Sequence, residues 1–276
     1  MDIEPEREPA LSRAALLAAA KRLWDQGLDL ALPPRCLGCG VRVDLDGVLC
    51  GDCFAAMTWI SAPLCGCCGH PFDLEQEPDA QDNSLCQSCT RHPPLFDRVR
   101  SVLRYDDASA SLVLGFKHAD RTDAGPVFAT WMTRIGRGLL EELAASGQGP
   151  KSDAPPVVLP VPLHPKRLAK RQYNQAALLS QAVAKNLGLE HLPLVLRRIK
   201  QTKGQGHLGR LARQEQVRGA FEVRAVERIA GRPVILVDDV FTTGATLEEC
   251  ALVLRKAGVP SISCLTLARV VFEDGD

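Results

Sequence analysis

The stretch that decides the fold reads PVILVDDVFTTGAT and spans residues 233–246. The apolar run VILV at 234–237 is typical of a short buried strand, and two carboxylates, Asp238 and Asp239, follow it. A turn containing Gly244 then leads into a segment with helical apolar periodicity, residues 245–257. This order predicts a buried strand, a tight turn and a helix in succession, the unit from which parallel α/β sheets are built.

The turn after the carboxylates predicts a phosphate site. A glycine-containing turn that enters a helix exposes unpaired backbone N–H groups, and the helix dipole adds a partial positive charge. The hydroxyls of Thr242, Thr243 and Thr246 supply further donors. The two carboxylates accept hydrogen bonds from vicinal sugar hydroxyls, or orient a metal ion through water. A phosphate and two hydroxyls at this spacing describe a ribose 5-phosphate.

Outward from this stretch, strands and helices alternate. Short apolar runs predict strands at 99–105, 157–161, 192–196, 219–223 and 261–268. Helical periodicity predicts helices at 108–117, 127–145 and 168–187. Residues 199–216 contain three glycines and many cations without periodicity, so a mobile loop is expected there. This pattern predicts a mostly parallel sheet covered by helices on both faces, with ligands beyond the carboxyl ends of its strands.

Cysteines mark a second module nearer the N-terminus. Nine of the eleven cysteines lie between residues 36 and 89, and the intervals between C-x-x-C pairs are 10, 11 and 17 residues. The four pairs are Cys36/Cys39, Cys50/Cys53, Cys65/Cys68 and Cys86/Cys89. Each pair places two thiolates on one turn, and two pairs complete a tetrahedral four-thiolate site. The sequence therefore predicts two structural zinc ions.

The cysteine spacing leaves several alternatives open. Knuckles pair either sequentially or in an interleaved order, and sequential pairing closes the shorter loops. Disulfides, a redox pair and iron–sulfur ligation are alternatives to zinc. The absence of an apparent export signal disfavours disulfides. The regular series of four pairs disfavours a redox pair, and its spacing differs from the usual iron–sulfur spacings. His70 is an alternative zinc ligand and Cys67 a spare thiol, while Cys250 and Cys264 are predicted core residues.

Charge is distributed unevenly, although 33 basic and 33 acidic side chains cancel over the chain. Residues 36–97 carry 2 basic and 9 acidic side chains, a net charge of −7, whereas residues 160–218 carry 12 and 2, a net charge of +10. The cationic segment is expected to attract phosphates on a nucleotide, a sugar phosphate or nucleic acid, the alternative being a solvated helix face. The acidic zinc module should repel phosphate backbones, so a protein partner or the chain's own basic half is its expected contact.

The N-terminal residues predict an amphipathic helix. Lys21, Arg22, Asp25 and Asp29 interrupt the apolar stretch at 14–32. No window of about 18 uncharged apolar residues exists, and a secretory signal would begin with positive charge. We expect a cytoplasmic protein without a membrane span. Its expected domains are an N-terminal extension at 1–35, a double zinc ribbon at 36–94 and an α/β domain at 95–276.

Two family resemblances rest on these motifs. VILVDDVFTTGAT resembles the phosphoribosyl pyrophosphate (PRPP) motif of type I phosphoribosyltransferases; a receiver-like or metal-phosphatase strand end would not explain its TTGAT ending. A longer resemblance is to the ComF family of competence-related proteins and covers residues 36–269. It rests on the order of four features along the chain: the knuckles, the segment PVPLHPKRLAKRQYNQA at 160–176, a basic loop and the PRPP motif. The resemblance implies a type I phosphoribosyltransferase-like parallel sheet flanked by helices, with a small N-terminal double zinc-ribbon module.

The resemblance also implies roles for single residues. Asp238 and Asp239 would hold the ribose hydroxyls, and Mg²⁺ would be carried mainly by the pyrophosphate of PRPP. Lys166 and Arg167 would neutralise that pyrophosphate, with Arg171, Lys203 or Arg210 adding charge. His164 is either a general base or, preferably, a structural or phosphate-contacting residue. The 5-phosphate would lie against Thr242, Thr243, Gly244, Ala245 and Thr246.

Two functions follow from the resemblance. The first is Mg²⁺-dependent phosphoribosyl transfer from PRPP to an unidentified acceptor, with release of pyrophosphate, in a protein linked to competence and DNA uptake. The alternative is a non-catalytic module that binds a nucleotide or single-stranded DNA through residues 160–218. Aromatic residues make up only 5% of the chain and offer few platforms for base stacking. The loop departs from the family at Gly209, Ala212 and Gln216, which bears on the acceptor it admits.

Overall fold

The computed structural model describes residues 33–73, 75, 81, 83–118, 122–145, 154–201 and 210–272. The chain forms two compact units, residues 1–50 and 51–276. The predicted N-terminal helix and the loop residues 202–209 lie outside the described residues. The predicted domain bounds at 35/36 and 94/95 stay predictions.

The described part of the first unit is a small hairpin. Arg35 and Arg42 form an antiparallel bridge, and the Cys36 N–H donates to the Val41 carbonyl at 2.7 Å. The Gly40 N–H donates back to the Cys36 carbonyl at 3.0 Å. These bonds close the tight turn that a C-x-x-C knuckle requires.

Among the residues that the structure describes, the second unit contains all the longer elements. Its strands are β1 (Arg98–Arg104), β2 (Val157–Pro160), β3 (Glu190–His191), β4 (Leu196–Arg198), β5 (Phe221–Val223), β6 (Val234–Phe241) and β7 (Ile262–Arg269). Its α-helices are α1 (Gly51–Ala56), α2 (Gln87–Arg91), α3 (Asp107–His118), α4 (Gly125–Ala145), α5 (Pro165–Arg171), α6 (Gln175–Leu187), α7 (Arg210–Val217) and α8 (Ala245–Lys256). Two 3₁₀ turns lie at Thr122–Ala124 and Val226–Arg228.

Five of the described strands form one sheet in the order β1-β7-β6-β2-β3. Each neighbouring pair is parallel, and Val234 of β6 lies opposite Val157 of β2 and Ile262 of β7. Strands β4 and β5 form a separate antiparallel pair, with Leu196 opposite Val223. The predicted parallel sheet is confirmed.

Helices cover both faces of the sheet. All eight residues of β7 are buried, as a strand between two neighbours and two helix layers should be. Val234 and Leu236 of β6 belong to one buried cluster with Leu254 of α8. The alternating residues of β6 point to the other face, where α4 and α6 pack against each other and against the strands.

Three predicted elements differ from the structure. The predicted helix 168–187 is two helices, because Gln172 takes a left-handed φ of 65° and the Asn174 side chain caps α6. The predicted loop 199–216 contains most of α7, which packs the buried Val217 against the core. The predicted strand 192–196 is replaced by the short β3 and β4, with Leu192 and Val195 buried between them.

The cysteine-rich segment of the second unit covers the outer edge of β1. The Ile60 N–H donates to Val102 at 3.0 Å, and the Val99 N–H donates to Cys67 at 2.7 Å. Trp59 forms a β-bridge with Leu103 and packs edge-on against Trp131 of α4, with ring centroids 5.1 Å apart. An exposed strand edge is a template for unwanted pairing, so this cover also protects the sheet. Among the described helices, none is long and apolar enough to cross a membrane.

Candidate functional site

One cavity opens at the carboxyl edge of the sheet, with a volume of about 1030 Å³. Its walls come from the segments that follow β1, β2, β6 and β7, represented by Tyr105, Val161, Thr242 and Val270. This is the edge at which parallel α/β sheets bind ligands, because the connecting turns converge there. The cavity brings most of the predicted site residues together.

The two carboxylates lie within β6 itself, because the strand continues to Phe241, four residues beyond the predicted end at Val237. The Asp239 N–H donates to Asp238 Oδ1 at 2.9 Å, and Lys117 Nζ lies 3.1 Å from Asp239 Oδ2. Burial and the neighbouring Asp239 carboxylate raise the pKa of Asp238 to about 8, although Lys117 opposes this shift. The Lys117 ammonium therefore offsets negative charge that burial and the adjacent carboxylates disfavour.

The segment 242–246, called here the phosphate turn, offers unused hydrogen-bond donors. Gly244 is the N-cap residue of α8 and has a φ of 81°; it offers no side-chain cap, so the first N–H groups of the helix keep no cap partner. A Cβ at Gly244 would lie 3.2 Å from Phe241 Cζ, which adds a steric reason for glycine here. The Thr243 hydroxyl is buried and has no hydrogen-bond partner among the described residues. Such a set of donors suits an anion.

Three arginines face the same cavity and form a cation cluster: Arg167, Arg171 and Arg198. The pKa of Arg167 is lowered, mainly by burial and to a smaller extent by repulsion from Arg171. The pKa of Arg198 is likewise lowered, mainly by burial and to a smaller extent by repulsion from Arg167. The Arg198 guanidinium stacks over the Phe221 ring, 5.3 Å from its centroid. Like charges held together in this way are relieved by a bound anion.

Two lining residues, Lys117 and Arg198, were not among the predicted site residues. Lys117 lies at the end of α3, far in sequence from the carboxylate that it meets, so no local motif identifies it. Arg198 is 7% exposed, whereas Arg197 beside it is exposed. The only sequence signal is the strand alternation of β4, which points one of two adjacent arginines inward.

The segment between α5 and α6 positions these groups. Asn174 Nδ2 donates to the Val161 carbonyl at 3.1 Å, which fixes the turn after β2. Gln175 Nε2 donates to the Lys117 carbonyl at 3.1 Å, and Tyr173 Oη donates to the Phe116 carbonyl at 2.9 Å. These two bonds hold the end of α3, and with it Lys117, beside the carboxylates.

Other predicted residues lie differently. Lys166 is exposed and is not among the described residues that line the cavity. Its N–H donates to His164 Nδ1 at 3.2 Å, so His164 caps α5, which supports the structural alternative for this histidine. Lys203 lies outside the described residues, and only the backbone of Arg210 is described, in α7. Roles for these residues stay predictions.

The first group of sulfurs contains Cys36, Cys39, Cys50 and Cys53, which lie within 4.8 Å of one another. The Cys39 and Cys50 sulfurs are 3.7 Å apart, and the Cys50 N–H donates to the Cys36 sulfur at 3.1 Å. Zn–S bonds of about 2.3 Å at the tetrahedral angle separate sulfurs by about 3.8 Å. The group, called here the first tetrad, therefore fits a zinc ion.

The second tetrad contains Cys65, Cys68, Cys86 and Cys89, also within 4.8 Å of one another. The Cys68 and Cys86 sulfurs are 3.7 Å apart, and the Cys86 N–H donates to the Cys65 sulfur at 3.3 Å. Knuckles therefore pair sequentially, first with second and third with fourth. His70 belongs to neither tetrad among the described residues; its carbonyl accepts the Cys65 N–H at 2.8 Å.

Comparison with known proteins matches two separate stretches of the chain to family models. Residues 27–90 match the model described as "Double zinc ribbon domain", and residues 174–271 match "Phosphoribosyl transferase domain". The chain is similar to "Competence protein F" of Haemophilus influenzae, with 31% identity over 85% of this chain and 96% of that protein. "DNA utilization protein YhgH" of Salmonella typhimurium is 28% identical over 88% of this chain and its whole length. "Competence protein ComFC" of Bacillus subtilis is 27% identical over 81% of this chain and 85% of its own.

Proposed function

This chain belongs to the competence protein F (ComF) family, and from that premise we propose that it is a Mg²⁺-dependent phosphoribosyltransferase that uses PRPP during the handling of imported DNA. One observation carries the proposal. A turn whose donors have no side-chain cap, a carboxylate pair beside Lys117 and a cation cluster all line a single cavity. These are the complements of a phosphate monoester, a vicinal diol and a pyrophosphate.

Each part of PRPP has a matching wall. The 5-phosphate takes the phosphate turn, where α8 adds its dipole. The ribose hydroxyls bind Asp238 and Asp239, displacing the Lys117 ammonium from its carboxylate. The pyrophosphate takes the cation cluster, whose mutual repulsion falls when the anion binds.

The proposed reaction is a displacement at the anomeric carbon. The bond from that carbon to pyrophosphate breaks, and its electron pair leaves on the pyrophosphate oxygen. A lone pair of the acceptor forms the new bond, and the acceptor's proton passes to solvent or to the departing pyrophosphate. The chain contributes positioning and stabilises the departing charge with Arg167 and Arg171. Mg²⁺, when bound, neutralises the pyrophosphate oxygens, because it prefers substrate phosphates and retained water.

The decisive experiment is thermal unfolding with PRPP and Mg²⁺. For the zinc-loaded wild type, ligand at about 100 times Kd should stabilise the binding unit by about 2.7 kcal/mol. The double substitution Asp238→Asn/Asp239→Asn should remove this shift, because neutral amides lose the charge that favours the ribose hydroxyls and the hydrated Mg²⁺. The matched control is Asp107→Asn, an exposed acidic residue at the start of α3 that should keep the full shift.

A stabilised wild type justifies an acceptor screen that measures pyrophosphate release. A wild type without any shift, or a shift that the double variant keeps in full, would contradict the proposal. The same titration with ribose 5-phosphate separates recognition of the sugar phosphate from recognition of the pyrophosphate, since that compound lacks the group assigned to the cation cluster.

Single-stranded DNA binding is the second candidate function. Several cations of residues 160–218 stay exposed outside the cavity, among them Lys166, Arg197, Lys200 and Arg218. A backbone held by several such cations dissociates steeply with salt, whereas PRPP in a Mg²⁺-bridged cavity should depend less on salt. Each phosphate contact with a single strand contributes about 0.7 to the salt slope, so Arg197→Gln/Lys200→Gln should reduce the slope of DNA binding by about 1.4 and leave PRPP binding unchanged. The acidic zinc module, residues 36–97, remains our proposed surface for a protein partner.

A further inference from the structure

A buried arginine at the end of β7 lies between the second tetrad and the phosphate turn. Arg269 is 4% exposed, and its Nη1 donates to the Cys68 carbonyl at 2.6 Å. Its guanidinium carbon lies 5.1 Å from the centroid of the Phe241 ring. The Arg269 Nε is buried without a hydrogen-bond partner among the described residues. Because burying a guanidinium is costly, the residue's few contacts must hold it in one orientation.

On the tetrad side, the contact is made by a backbone group of a ligand residue. Cys68 belongs to the second tetrad, so a bound metal fixes the position of its carbonyl. The same knuckle sits tightly on β1, since a side chain at Gly69 would collide with the Val99 carbonyl. The Val99 N–H also donates to the Cys67 carbonyl at 2.7 Å. The knuckle is thus a rigid platform for Arg269 as long as its turn is intact.

On the other side, Phe241 supports the phosphate turn. A Cβ placed on Gly244 would lie 3.2 and 3.3 Å from two atoms of the Phe241 ring, so the ring closes the space beneath this glycine. Phe96 meets the same ring edge-on at 6.3 Å. Any tilt of the Phe241 ring therefore changes the surface on which the left-handed Gly244, and the start of α8, rest.

We propose that Arg269 is a positioning residue that couples metal occupancy of the second tetrad to the geometry of the phosphate turn. With metal bound, the Cys68 carbonyl holds Arg269, Arg269 holds Phe241, and the donors of residues 242–246 converge. Without metal, the carbonyl is released and the ring loses one of its supports. The coupling is reciprocal, so a ligand on the phosphate turn tightens metal binding in the second tetrad. The part of the test that measures PRPP binding rests on the proposed function.

Arg100 provides a matched control for Arg269. It is also buried, 5% exposed, and its Nη1 lies 3.5 Å from the Cys65 carbonyl and 3.4 Å from the Gly66 carbonyl of the same knuckle. Its charge, however, pairs with Glu142 at 2.8 Å instead of stacking on Phe241. Removing either arginine weakens the docking of the knuckle, but only one removal releases the ring beneath Gly244.

The test compares Arg269→Met with Arg100→Met in the full-length, zinc-loaded chain. Hydrogen exchange without ligand is measured for peptides covering residues 242–250, which include the Glu248 amide that donates to the Gly244 carbonyl at 2.9 Å. Arg269→Met should exchange there at least tenfold faster than wild type and bind PRPP at least tenfold more weakly, with wild-type zinc content. Arg100→Met should lower Tm yet change both quantities less than twofold.

Equal effects of the two substitutions, or no effect of Arg269→Met, would overturn the coupling. Because exchange is measured without ligand, a wild type that fails to bind PRPP would contradict the proposed function but would leave the exchange test of the coupling intact. If Arg269→Met does not fold, Arg269→Lys takes its place, since it keeps the charge and a donor for Cys68 but lacks the planar stack. Removal of zinc with a chelator should also speed exchange of residues 242–250 in the wild type, and should change exchange in the Arg269 variant less than twofold.

Discussion

Two connections at the same edge of the sheet run from strand to turn to helix and yet present different chemistry. After β6, Gly244 is the N-cap residue of α8 and provides no side-chain cap, and the Thr243 hydroxyl beside it has no partner among the described residues. After β2, His164 is the N-cap residue of α5, and its ring accepts the Lys166 N–H at 3.2 Å. Pro165 at the first position of α5 has no N–H at all.

The difference shows how one topology recognises two kinds of phosphate. The β6–α8 connection offers backbone donors in fixed positions, which suits a phosphate monoester that must be held in one place. The β2–α5 connection has already used or lost its first donors, so it contributes side-chain charge through Arg167 and Arg171. Guanidinium groups adapt to a pyrophosphate that must bind and then leave.

The largest expected effect comes from breaking the first connection. Gly244→Ala should reduce PRPP affinity at least a hundredfold, because alanine resists a φ of 81° and its Cβ would press on Phe241. Isothermal titration of the zinc-loaded variant measures this loss. The control is Gly188→Ala, which imposes similar strain at a φ of 69° with open space around it, at the C-terminus of α6. If both variants bind PRPP alike, the turn does not hold the phosphate.

An intermediate effect is expected at the second connection. Arg171→Met should weaken PRPP binding at least tenfold, since one charge-assisted hydrogen bond is worth about 1.5–3 kcal/mol. Lys166→Met is the neighbour control on the same helix and should change the affinity less than twofold, because Lys166 is exposed and does not line the cavity. Relative to the wild type, Arg171→Met should lose affinity for PRPP but keep its affinity for ribose 5-phosphate, whereas Lys166→Met should change neither affinity. A large effect of Lys166→Met would instead support the role that the family resemblance implies.

The smallest effect should follow loss of the α5 cap. His164→Ala removes the acceptor for the Lys166 N–H and should lower the free energy of unfolding by about 1 kcal/mol. PRPP affinity should stay within twofold, measured by titration alongside thermal unfolding. A large loss of pyrophosphate release with unchanged stability would contradict this assignment and favour His164 as a general base.

Predictability differs between the parts of the site for a physical reason. The local structure of residues 234–246 could be predicted from sequence, because a buried strand, a glycine with positive φ and an uncapped helix start are all local properties. The break between α5 and α6 was missed although Asn174 is a good cap, since the apolar spacing on either side continues one helical pattern. The inward side chain of Arg198 depends on the two-residue alternation of a very short strand, a weak signal in sequence.

The amino-acid sequence alone was sufficient for the alternation of strands and helices, the phosphate turn and the four cysteine knuckles, because each depends on residues within a few positions of one another. Only the tertiary structure decided that the knuckles pair sequentially, that Lys117 meets Asp239, and that Arg269 joins Cys68 to Phe241. These contacts join residues far apart in the chain. They exist only where packing of the sheet, helices and knuckles brings their side chains together, and no local pattern encodes that packing.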